Sequence, residues 1–292
     1  MEWIHVPVMA EEVLHYFSSL NGLFLDCTVG AGGHSEAILT NIEGSVVIGL
    51  DVDNDALSLA KRRLSEFEKQ GRLYLVKSSY VYAKNVLEQL KVQSISGILM
   101  DLGMSTLQLT SSERGFAFSM DGPLDMRMDK DQELTAYDVV NSWSEEQLRR
   151  LFFEYAEEKR YARRIASSIV RFRPIRTTQE LARAVARALP ESEKRARKRH
   201  FATRIFQAIR IAVNNELENL KEFLSYAPEL LCPGGRIVII SFHSLEDRIV
   251  KESLRSNQNL TVITKKPVKP TQEEIAKNPK ARSAKMRVAE RK

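Results

Sequence analysis

A chain of 292 residues with 43% hydrophobic side chains exceeds the usual single domain and has material for a large core plus a second module. Its two cysteines, Cys27 and Cys232, exclude a disulfide framework and a cysteine zinc site, so no metal is expected and a reducing cytoplasm is the expected location. The net charge of +6 is unevenly spread: residues 159–210 hold 16 Lys and Arg against Glu180, Glu191 and Glu193, whereas the rest of the chain holds 28 basic and 35 acidic side chains.

Residues 1–7 show no basic region followed by an apolar stretch, so no secretory signal is expected. The apolar runs at 46–50 and 237–240 are too short to cross a membrane. Residues 23–27, 46–51, 73–76 and 97–102 read as short buried strands, with helical patterns at 35–40, 56–69 and 82–89 between them. Strands alternating with helices predict a parallel sheet covered on both faces.

From about Ser111 the pattern changes. Glu113 to Pro123 is rich in glycine and aromatics without periodicity and reads as a loop. Helices without a convincing strand then run to about residue 199, among them one opened by a Thr177/Glu180 capping box and stopped by Pro190. This stretch reads as an inserted helical domain, and its basic run, including Arg195 and Arg197 to Arg199, suits a polyanionic partner. Phe206, Ile209, Val213, Leu217, Leu220 and Leu224 then repeat at helical spacing and predict one face packed on the sheet. A strand at 236–241, a helix at 245–254 and final strands at 261–264 and 286–289 complete the pattern.

The densest chemical signal is Phe24-Leu25-Asp26-Cys27-Thr28-Val29-Gly30-Ala31-Gly32-Gly33-His34-Ser35. A strand breaks into a glycine turn ahead of a helix, and Asp51 ends the next strand, where it can accept hydrogen bonds from a ribose. This predicts a nucleoside cofactor and leaves a dehydrogenase and a methyltransferase both open. Ser35 stands where the third glycine of a dinucleotide fingerprint belongs, which weakens the first. Asp101 at the end of the fourth strand orients a substrate amine, holds cofactor, or merely forms a turn.

Several longer segments are more specific. They are His5-Val6-Pro7-Val8, Gly32-Gly33-His34, Asp101-Leu102-Gly103-Met104-Ser105, Glu113-Arg114-Gly115-Phe116, Asp121 to Asp129, Phe206 to Ile211, and Ser241 to Arg248. With these, nearly the whole chain resembles the RsmH (MraW) family of small-subunit ribosomal RNA cytosine-N4 methyltransferases. The resemblance implies a class I S-adenosylmethionine-dependent methyltransferase fold, a Rossmann-like sheet with a C-terminal antiparallel strand, interrupted by an all-helical insert. Expected boundaries are 1–110 with 205–292 for the methyltransferase domain and 111–204 for an RNA-binding insert. It further implies S-adenosyl-L-methionine held by Gly32, Gly33, His34, Asp51, Tyr80, Asp101 and Gln108.

The amine of cytosine is a poor nucleophile because its lone pair is conjugated with the ring, so it needs an acceptor and close placement. Asp101 is the candidate catalytic residue, orienting the amine or binding cofactor only. The segment Asp-Leu-Gly-Met departs from the acidic-or-amide, proline, proline, aromatic pattern of many nucleic-acid amino-methyltransferases. His243 either lines the substrate side or is a satisfied sheet-end histidine. Arg127 either meets a phosphate or pairs with Asp125 or Asp129; the pairing is the favoured expectation, in a loop acting as a lid that orders on RNA binding. The expected function is methyl transfer to the N4 amine of a cytidine in 16S ribosomal RNA, free or in the small subunit, by a cytoplasmic enzyme with no membrane partner. A homodimer is compatible with the sequence. An RNA-binding assembly factor with a retained cofactor pocket, or a same-fold enzyme with a non-RNA substrate, are the rivals.

Overall fold

The computed structural model describes residues 7–196 and 200–292; His5 and Val6 of the first family segment, and Arg197, Lys198 and Arg199 of the basic run, lie outside them. The chain divides into two compact units, 1–105 with 217–292, and 106–216. The boundaries expected at 111 and 204 both fall inside the second unit.

The first unit begins with α1 (Ala10–Phe17), β1 (Leu23–Asp26), α2 (Gly33–Asn41), β2 (Val46–Asp51), α3 (Asn54–Arg63), α4 (Ser65–Lys69), β3 (Leu73–Lys77), α5 (Ala83–Gln89) and β4 (Ile95–Asp101). These strands are parallel to their neighbours; the apolar runs of β1, β2 and β4 are buried on both faces, whereas β3 is the edge strand and exposes Tyr74. Side chains alternate between two cores. Leu25, Ile48, Leu50, Ile98 and Met100 enter one. Phe24, Val47 and Leu99 enter the other, with Val13 and Phe17 of α1 and Ile38 and Leu39 of α2. The helix expected over 56–69 is two helices, because the chain turns at Leu64 to bury that side chain fully.

The second unit is helical: α6 (Thr106–Thr110), α7 (Ala136–Ser142), α8 (Glu145–Glu154), α9 (Ala162–Arg171), α10 (Thr178–Ala188), α11 (Glu191–Ala196) and α12 (Thr203–Asn214). Full capping boxes open three of these helices: Thr135 with Asp138, Ser144 with Gln147, and Thr177 with Glu180. The aperiodic stretch before α7 is tied down at many points. Arg114 donates to the carbonyls of Arg127 and Met128, and Asn214 binds Met126 and Met128 through its side chain. Arg127 grips Asp125 through two parallel bonds of 3.0 and 2.9 Å and also donates to the carbonyls of Lys130 and Gln132. The expected pairing of Arg127 with Asp125 is therefore present.

The expected single helical face from Phe206 to Leu224 is interrupted at Asn215, which takes a left-handed φ of 51°. Asparagine tolerates that conformation better than most residues. As a result α12 packs on α7 and α8 in the helical unit, and only the following helix, α13 (Glu216–Leu230), contributes Leu220, Phe223 and Leu224 to the sheet core. The first unit ends with β5 (Leu231–Ser241), α14 (Ser244–Ser256), β6 (Leu260–Val262), α15 (Gln272–Lys277) and β7 (Lys285–Arg291). The sheet has 7 strands in the order β3-β2-β1-β4-β5-β7-β6, with β7 antiparallel to both neighbours. Among the described residues no helix is long and apolar enough to cross a membrane.

Candidate functional site

Strand order reverses at β1, whose neighbours are β2 and β4, and ligands of open α/β sheets bind at the carboxyl edge of such a switch point. Three carboxylates end the strands there: Asp26 on β1, Asp51 on β2 and Asp101 on β4. The chain leaving β1 zips between the other two strands. Cys27 N–H donates to Leu99 O, Val29 N–H donates to Leu50 O, and Thr28 Oγ1 accepts Asp101 N–H at 2.8 Å. The turn is thus fastened to both strands that carry its carboxylates.

The glycines divide their work. Gly30 and Gly32 have positive φ, 53° and 85°. A Cβ on Gly32 would lie 2.8 Å from Leu64 Cδ1 at a positive φ, and one on Gly33 would meet Pro7 at 3.3 Å, so packing inside the fold crowds both, Gly32 the more. At Gly30 the nearest atom would be Thr28 O at 3.8 Å, which leaves room for a ligand. Gly32 is the N-cap of α2 and brings no side-chain oxygen to its first turn.

Asp51 accepts Gly30 N–H at 2.8 Å on one oxygen and Asp53 N–H at 2.9 Å on the other. Burial pushes its carboxyl up to about 6. Each oxygen keeps a second lone pair for a ribose hydroxyl. Asp26 is buried and accepts Ser35 Oγ at 2.7 Å and Thr28 N–H at 3.2 Å; burial raises its carboxyl above the usual range. Asp26 and Thr28 were not expected in the site. A polar residue ending an otherwise apolar strand, with Ser35 nine positions on, was the signal available.

His34 lies 3.5 Å from Asp101, Nε2 to Oδ2. His34 Nδ1, His34 Nε2 and Asp101 Oδ1 are all buried without a hydrogen-bond partner among the described residues. Orphaned polar atoms are costly in an interior, and three at one sheet edge mark a place built for a polar ligand. Tyr80 follows β3 in a short 3-10 turn, its ring edge-on to Phe223 at 5.5 Å, and its carbonyl accepts Tyr226 Oη at 3.0 Å. Gln108 belongs to the other unit, where it is buried on α6.

His243 has a structural position. It is the N-cap of α14: its Nδ1 accepts Glu246 N–H at 3.3 Å, while Glu246 Oε2 accepts Phe242 and His243 N–H. The Ser-Phe-His-Ser-Leu-Glu stretch is thereby a capping box with histidine in the serine's place.

The model of the MraW methylase family matches residues 2–292. The chain belongs to the MraW methylase family. It is 68% identical over 292 residues to the ribosomal RNA small subunit methyltransferase H of Pseudothermotoga lettingae, covering 100% of both chains. The protein of that name from Thermotoga neapolitana is 54% identical over 288 residues, 98% of this chain and 95% of the relative. Its counterpart in Trichormus variabilis is 49% identical over 289 residues, 99% and 92% of the two chains. This MraW-family chain is a methyltransferase with the class I, Rossmann-like sheet and its antiparallel β7, and its methyl donor is S-adenosylmethionine. The open side of Gly30, the acceptor at Asp51 and the orphaned atoms of His34 and Asp101 fit such a ligand, with its ribose and its charged amino-acid end.

Proposed function

We propose that this protein methylates the exocyclic N4 amine of a cytidine in small-subunit ribosomal RNA. When bound, S-adenosylmethionine supplies an electrophilic methyl group on a sulfonium. In this reading Asp51 accepts the ribose hydroxyls, Gly30, Gly32, Gly33 and His34 shape the wall beside them, and Tyr80 supplies an aromatic surface for the adenine. Asp101 sits at the end of β4, and among the described residues its Oδ1 has no partner; in this reading its carboxylate accepts one N–H of the amine. That bond turns the nitrogen lone pair toward the methyl and away from conjugation with the ring. Held this way, the amine would be oriented for in-line methyl transfer, and the proton it loses would pass to water.

The observation that carries this reading is the orphaned Asp101–His34 pair at the switch point in a chain matching relatives named for ribosomal RNA methylation along their full length. The helical unit, with residues 106–216, would bring the RNA, and the target base would leave its stack to reach the sheet edge. Incubating the full chain with labelled S-adenosylmethionine and small ribosomal subunits, or with the naked RNA, tests the proposal. N4-methylcytidine is the expected product on nucleoside digestion. Label recovered in protein, in another base, or nowhere would overturn it.

A further inference from the structure

Helices α9 and α10 pack side by side and carry Arg163, Arg164, Arg171, Arg183 and Arg187, all exposed. The one acidic residue in the two helices is Glu180, whose carboxylate is taken by the N–H groups of Arg176 and Thr177. Among the described residues, Arg163, Arg164, Arg171 and Arg187 form no ion pair. Positive charge left this concentrated attracts a polyanion. By itself it would also describe an ordinary solvated helix surface.

An aromatic ring sets this surface apart. Phe172, the residue that caps the end of α9, is 38% exposed. The guanidinium carbon of Arg187 stands 4.2 Å from the ring centroid and that of Arg171 stands 5.9 Å away. With the Arg187 guanidinium over the ring, the two form a stacked cationic–aromatic ledge, the kind of surface on which an unpaired base stacks. An acidic protein segment would use the arginines but gain nothing from the ring.

We propose that the Phe172–Arg187 ledge holds one unpaired nucleotide of the RNA substrate, its base on the ledge and its flanking phosphates on the neighbouring arginines of α9 and α10. This rests on the reading of the substrate as RNA.

Anisotropy titrations of the full chain compare an unpaired RNA oligonucleotide with a duplex of equal length. Phe172→Leu keeps the apolar bulk but removes the π face, and it weakens unpaired RNA about tenfold or more while leaving the duplex unchanged. Phe172→Tyr keeps the affinity. Arg187→Gln weakens both RNAs, the unpaired one more, and reads the same contact if Phe172→Leu melts early. Arg150→Gln, an exposed side chain of α8 paired with Glu146, changes neither. Equal affinity of Phe172→Leu and parent for unpaired RNA overturns the proposal, as does an equal loss on the duplex or a matching dependence on Phe172 for polyglutamate. If the parent leaves ribosomal RNA unmethylated while the Phe172 contrast holds, the functional reading falls and the ledge stands. If methylation proceeds and the contrast is absent, the ledge alone falls.

Discussion

At the carboxyl edge of the sheet, the carboxylates of Asp26 and Asp51 are drawn into the interior, held by backbone N–H groups and, for Asp26, the Ser35 hydroxyl, and raised by burial, while that of Asp101 lies 3.5 Å from His34. On α9 and α10 the reverse holds: arginines stand in solvent with no carboxylate beside most of them. Buried charge is expensive and is kept where it meets a ligand of fixed geometry. Exposed charge costs little and acts over about a Debye length, which suits a flexible polyanion. The contrast predicts that changes at the sheet edge alter chemistry and cofactor affinity, while changes on the helices alter RNA affinity and its salt dependence.

The sharpest way to break this comparison is Asp101→Asn. It preserves shape but removes the charge that accepts the amine, so turnover should fall by about 10²-fold or more with RNA affinity unchanged. Single-turnover methylation beside an RNA titration measures both. An equal loss of RNA binding would mean the sheet edge and the helices do not divide the work.

Asp51 sharpens the same division through pH. Its carboxyl titrates at about 6, above the ordinary aspartate value, and only the ionised form offers acceptors to both ribose hydroxyls. Cofactor affinity is therefore full from about a unit above that value and falls on acidification through pH 6, approaching about tenfold for each unit below it. Asp51→Asn should bind more weakly at neutral pH and show no such fall. Calorimetry from pH 5 to 8 reads it, and a flat profile for the parent would remove Asp51 from the site.

Gly32→Ala comes next in size. The added Cβ falls 2.8 Å from Leu64 Cδ1 and imposes a side chain at φ 85°, so the sheet unit should lose about 1–3 kcal/mol in denaturant titration. Gly30→Ala meets no such neighbour, and its cost should be the smaller left-handed penalty, about 1–2 kcal/mol. Its larger effect should be on cofactor affinity. Equal stability losses would contradict the assignment of one glycine to packing and the other to ligand.

Those glycines also show what the sequence alone makes legible. Strand-end Asp51 and Asp101, the glycine turn and the Thr177 capping box are local patterns, and the structure places them at the positions their spacing implies. Other features depend on tertiary packing. Nothing local announces that Leu64 turns inward to split α3 from α4, since no glycine or proline marks the break. Asn215 was a usable sign of a left-handed stop, but the continuous apolar stripe from Phe206 to Leu224 outweighs it in a reading by periodicity. Asp26 was absorbed into the predicted strand because strand ends are poorly defined from sequence, and its role emerges only when Ser35 and His34 fold back over it.

The smallest expected effect decides whether the stretch before α7 is scaffold or lid. Arg127 makes two bonds to Asp125 and two to backbone carbonyls, and this pairing holds the Asp125 carboxyl below its usual range. Both side chains are about a quarter exposed, 24% and 23%, so solvent screening cuts the pair's worth. Arg127→Ala should then lower stability by about 1–2 kcal/mol, with cofactor affinity unchanged. RNA affinity should change little as well, because the guanidinium is already committed to the fold. A variant of parental stability that binds RNA much more weakly would show that Arg127 leaves Asp125 for a phosphate, and the loop would then belong with the exposed arginines of α9 and α10.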